Sequence, residues 1–116
     1  MYMGEYEHLT SAMLDAIDDI SCVVKTVGIV LQAGNDKEVA FVGKKLFELG
    51  KDLKSSTIFP DMVMEFDDQL TYFGGLIEDC ESYDVAESII EDLKDAYKLG
   101  KDTLDEYKQS WVHVAG

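Results

Sequence analysis

The sequence predicts an all-α fold, an antiparallel four-helix bundle that divides into two tandem helical hairpins. Three observations predict it. Apolar residues recur in alternating steps of three and four almost throughout the chain. Short polar breaks cut this pattern into four segments of helical length, which makes successive helices antiparallel neighbours. No stretch alternates as a strand would. With 116 residues, 47% of them hydrophobic, a single domain over residues 1–116 has ample material for one core.

The first helix is expected from about Glu5 to Gln32, with the stripe Leu9, Met13, Ala16, Ile20, Val24, Val27 and Leu31. Cys22, Val23, Ile29 and Val30 are apolar beyond that stripe. They are read first as extra core of a centrally placed helix, and alternatively as a self-association face. Ala33-Gly34-Asn35-Asp36 reads as a stop, a turn and a new N-cap. The second helix, to about Lys54, presents Val39, Val42, Leu46, Leu49 and Leu53. Ser55 to Pro60 is the clearest break, and Pro60 suits the first turn of the next helix.

The third helix, from Asp61 to Ser82, carries the seam Val63, Phe66, Leu70, Phe73, Ile77 and Cys80, spaced for knobs-into-holes packing. Gly74-Gly75 interrupts it and reads as close approach of a neighbouring helix, or a kink. Asp84 is expected to N-cap the fourth helix, whose inner face is Ala86, Ile89, Leu93, Ala96, Gly100, Leu104 and Tyr107, ending near Trp111. Leu49-Gly50-Lys51-Asp52 recurs as Leu99-Gly100-Lys101-Asp102, a faint repeat that would use one hairpin twice.

Charge narrows function. There are 24 acids against 10 bases, all of them lysine, for a net charge of -14. The absence of arginine removes bidentate phosphate clamps and guanine readout. Such a charge opposes direct binding to nucleic acid or to an anionic membrane. The excess is concentrated, because residues 61–95 hold twelve acids and one lysine, Lys94. At 100° per residue, Asp61, Glu65, Asp68 and Asp79 share one face of the third helix, with Tyr72 among them. Asp84, Glu87, Glu91 and Asp95 fall in one sector of the fourth, opposite its apolar stripe. Like charges at i,i+4 cost a few tenths of a kcal/mol each, so folding does not call for them.

Chemistry is sparse. Glu5 and His8 have the spacing of a carboxylate-bridged di-iron motif, but no second Glu-x-x-His pair exists. Asp15, Asp18 and Asp19 lack an EF-hand frame. No phosphate loop, nucleophile–base pair or zinc-type cysteine cluster occurs, so no catalytic residue, metal or cofactor is assigned. Cys22 and Cys80 are read as free buried thiols. The N-terminus lacks a basic n-region, and a cytoplasmic protein is expected.

The leading expectation is a non-catalytic acidic inhibitor that neutralises a protein partner with a basic, nucleic-acid-handling surface by charge mimicry. Its binding residues would be Asp61, Glu65, Asp68, Tyr72, Asp79, Asp84, Glu87, Glu91 and Asp95. Phage-type anti-defence antagonists and immunity proteins are analogous in size and charge. The alternative is a structural or adaptor bundle forming a homodimer through Cys22, Val23, Ile29 and Val30. A metal-dependent carboxylate enzyme ranks last.

Overall fold

In a computed structural model the backbone is described for residues 2–55 and 61–115, and the side chains for 11–53, 65–107 and 109. Four helices follow one another: α1 (Tyr2–Gln32), α2 (Lys37–Ser55), α3 (Asp61–Ser82) and α4 (Glu87–Ala115). They form an elongated bundle with Cα extents of 54 × 22 × 18 Å. α1 lies against α2 and α4, and α3 against the same two. Among the described residues, α1 and α3 stand diagonally across the bundle, as do α2 and α4.

The expected stripes form the core. Met13, Ala16, Ile20, Val24, Val27 and Leu31 of α1 are buried with Val42, Leu46, Leu49 and Leu53 of α2. Phe66, Leu70, Phe73, Ile77 and Cys80 of α3 join them, with Leu93, Ala96, Leu104 and Tyr107 of α4. Each buried Val, Leu, Ile, Met or Phe among them contributes about 1.5–3 kcal/mol of hydrophobic stabilisation. The side chains of Leu9 and Val63, and the break at 56–60, lie outside the described residues.

The α1–α2 hairpin is the tightest part of the molecule. A Cβ built on Gly28 would stand 2.6 Å from the Gly43 carbonyl oxygen, and one on Gly43 would stand 2.8 Å from that of Gly28. One heptad along, Gly50 faces Ser21, whose Oγ donates a buried 2.6 Å hydrogen bond to the Gly50 carbonyl. Small residues seven apart on both helices therefore let the two backbones almost touch. The second hairpin keeps a comparable register fifty residues on, with Gly100 against Leu70 and Gly74 against Tyr97. It does not reproduce the seam: Thr71, the counterpart of Ser21, is exposed and bonds back to the Asp67 carbonyl at 3.1 Å.

Asp36 caps α2 as expected, its carboxylate accepting from the Glu38 and Val39 amides at 2.9 and 3.3 Å. Asp84 does not cap α4. Its φ of 57° puts it in the left-handed region at the end of α3. There its amide donates to the Glu81 carbonyl at 3.3 Å while the Val85 amide donates to Cys80 at 3.1 Å, a Schellman ending. Aspartate suits both roles, and the backbone path decides between them. Ala86 takes the cap position of α4, accepting from Ile89 and Ile90 through its carbonyl, and is exposed rather than core. α4 therefore starts later than expected and runs past Trp111 to Ala115.

Of the extra apolar residues on α1, only Val23 packs partly against the core; Cys22, Ile29 and Val30 are exposed. The reason is geometric: among the described residues, that side of α1 is turned away from α2 and borders α4 only across an open groove. Gly74 is explained by Tyr97, whose ring a Cβ would meet at 3.3 Å, whereas a Cβ on Gly75 would meet nothing within 4 Å.

Candidate interaction surface

The carboxylates singled out in the sequence are on the outside. Glu65, Asp68, Glu87, Glu91 and Asp95 are exposed, as is Asp84 in the turn; Asp79 is half-buried. The side chain of Asp61 lies outside the described residues, as do those of Glu5, His8 and His113. Lys94, the sole base of the acidic segment, has its Nζ 3.4 Å from Glu81 Oε1, on the side of α4 that faces α3. Both partners are well exposed, so this pair contributes little to stability.

The acidic residues spread over more than one side. Tyr72, 48% exposed, sits where α3 meets α2. Its phenol is pushed above its ordinary pKa first by burial, then by the charges of Glu48 and Asp52 from α2 and Asp79 from α3. Asp95 faces the other way and lines a groove between α1 and α4. Between them the α3–α4 seam is lined by Thr71, Gly74, Gly75, Glu78, Lys94 and Tyr97. Spacing along α3 reveals the neighbours of Tyr72 on its own helix. Glu48 and Asp52 become visible only once two helices are docked.

The α1–α4 groove has a volume of about 430 Å³. Asp19, Cys22, Val23 and Thr26 line it from α1, Asp92, Asp95 and Leu99 from α4, and buried Ile20, Val27 and Ala96 form its floor. Its walls are apolar and its charged residues are all carboxylates. Two sets of residues kept apart in the sequence, Cys22 and Val23 on one side and Asp95 on the other, meet here.

α2 differs from the rest. It carries five lysines against three acids. Two of them lie across its own aromatic rings, Lys45 at 4.5 Å from the centroid of Phe41 and Lys51 at 5.6 Å from that of Phe47. Such contacts hold a cation over the ring's negative face.

Among the described residues, no group of three His, Cys, Asp or Glu side chains is placed to hold a metal ion, and no helix is long and apolar enough to cross a membrane. No protein-family model matches the chain, and neither a curated protein nor a solved structure matches it.

Proposed function

We propose that the chain is a non-catalytic binding protein that neutralises a basic, nucleic-acid-handling partner by charge mimicry. The observation that carries this reading is the exposed row Glu87, Glu91 and Asp95 along α4; Glu65 and Asp68 are exposed on α3, on the side of the bundle that carries Tyr72. Glu87, Glu91 and Asp95 repeat at i,i+4, about 6 Å apart along the axis. A rigid row of this kind offers charge at regular intervals without rearrangement on binding. Its field speeds encounter with a cationic surface. Tyr72, exposed among carboxylates of α2 and α3, adds an aromatic anchor at a second edge. Such a role is exercised in the cytoplasm, where Cys22 and Cys80 remain thiols.

The test is a titration against nucleases and other proteins with basic nucleic-acid-binding grooves, with duplex DNA as competitor. Binding is expected to exclude the DNA and to weaken at least tenfold between 50 and 200 mM salt, in line with counter-ion release. Combining Glu87→Lys, Glu91→Lys and Asp95→Lys should abolish it. Affinity unchanged by that triple reversal overturns the mimicry.

A second reading, an adaptor bundle that self-associates through α1, is favoured by one observation: Ile29 and Val30 are 58% and 53% exposed. It requires a dimer that persists in high salt and dissociates on Val30→Glu. A monomer at all concentrations removes it.

A further inference from the structure

We infer that the groove between α1 and α4 is the docking site for a basic amphipathic helix of a partner protein. Apolar side chains of that helix seat on Val23 and Leu99, and its lysines or arginines meet Asp19, Asp92 and Asp95. The inference rests on the binding role proposed above and assigns it a seat and a partner chemistry.

The groove follows from how α1 is held. Ser21 and Gly28 draw α1 onto α2 until the two backbones nearly touch. On its far side α1 meets α4 through Val23, Thr26 and Ala96, side chains too small to close the seam. Leu99 is left 41% exposed on the opposite bank. The apolar lining does not stop at the groove. Ile29 and Val30 lie one heptad beyond Cys22 and Val23, continuing the apolar strip along α1 by about 10 Å. Repetition at seven residues suits a third helix laid along the first two, with knobs entering at successive turns.

The chemistry of the occupant is set by the two parts of the lining together. An apolar floor alone would accept any greasy segment, and carboxylates alone any cation. Here Asp19 on α1 and Asp92 and Asp95 on α4 flank the floor from both banks, and no lysine lines it. An occupant must be apolar along its centre and positive along both edges. A second copy of this chain does not meet that description. Pairing two copies through this face would oppose one acidic rim to another. The lysine-rich helix α2 cannot serve either, since its apolar stripe of Val42, Leu46, Leu49 and Leu53 is buried in its own core.

The test uses two synthetic 21-residue peptides with leucine at heptad positions a and d. One carries lysine at e and g, the other glutamate. Two signals are followed with the intact protein: peptide helicity by circular dichroism, and the rate at which iodoacetamide alkylates Cys22, which lines the groove. The lysine peptide is expected to become helical on binding and to slow Cys22 alkylation at least tenfold at saturation, while the glutamate peptide does neither. Leu99→Glu, which makes the protein still more negative, should weaken binding at least tenfold. The milder Leu99→Ser should weaken it about threefold, and it serves if the glutamate variant unfolds. Glu38→Lys on α2 changes charge away from the groove and should leave binding intact. If the lysine peptide binds with full affinity to both Leu99 variants and leaves Cys22 reactive, it sits elsewhere on the acidic surface. That overturns the groove but not the proposed function, which Glu87→Lys combined with Glu91→Lys, both outside the groove lining, tests separately. Failure of the lysine peptide to bind at low salt also overturns the groove. So does a salt-resistant dimer of the protein alone that Leu99→Glu dissociates, which would give the groove to a second copy.

Discussion

Cys22 and Cys80 both lie in apolar helical runs and both are expected buried, but only Cys80 is, because Cys22 falls outside the stripe of α1 that faces the core. Cys80 is fully buried on α3, and burial, assisted by the charges of Asp79 and Glu81, pushes its thiol from its ordinary value of 9.0 up to about 11. Cys22 is exposed on α1. Native protein should therefore take up one equivalent of a thiol reagent rapidly, and the second only on unfolding, as mass spectrometry of the alkylated protein would show. Two fast equivalents would contradict the packing of α3. The raised thiol also fixes a sign. The folded state holds the Cys80 proton more tightly than the unfolded one does. Stability is therefore intact below about pH 9 and declines through about pH 11, which alkaline denaturation curves measure. The sequence shows both cysteines inside helical apolar runs but not which run faces outward beyond the stripe. Asp84 illustrates a related limit, since cap and left-handed turn both favour aspartate and only the chain path separates them.

Helix spacing made the stripes of α1 to α4 legible almost residue for residue, because a 3–4 repeat leaves few choices of inner face. The α1–α2 seam was not legible. Gly28 and Gly43 look like interruptions in apolar and basic stretches until the antiparallel register sets each against the other's carbonyl. The conspicuous Gly74-Gly75 pair, by contrast, does less than it promises. Thermal unfolding separates these cases. Gly28→Ala drives a methyl into backbone at 2.6 Å and should cost about 1–3 kcal/mol. Gly75→Ala adds a methyl in open space inside a helix and should stabilise by about 0.5–1 kcal/mol. Destabilisation by Gly75→Ala would mean that the residue serves a bend or a contact absent from this packing.

Across the bundle as a whole, self-repulsion is the dominant electrostatic fact, with a net charge of -14 on a core of ordinary size. Rows at i,i+4 on α3 and α4 repel within each helix, and α1 adds the exposed Asp15, Asp18 and Asp19. Raising sodium chloride from 10 to 500 mM shortens the screening length from about 30 Å to a few ångströms and should raise the melting temperature by several degrees. A flat or falling melting temperature would show that the carboxylates are already compensated. Total charge and its concentration between residues 61 and 95 were legible in the sequence. Its division among three sides of the molecule was not, because that depends on how each helix is rolled against its neighbours.

The lysines of α2, two of them laid over Phe41 and Phe47, have a consequence for motion before contact. α2 bears a formal +2, whereas α1, α3 and α4 bear -4, -7 and -3. The centre of positive charge is thus displaced from the centre of negative charge, which gives the particle a permanent electric dipole across its short axis. Near a cationic wall that dipole exerts a torque, turning α2 outward while the bundle is still a screening length away. Should the partner be basic, as proposed, the molecule would meet it with α2 turned away and its acidic helices foremost.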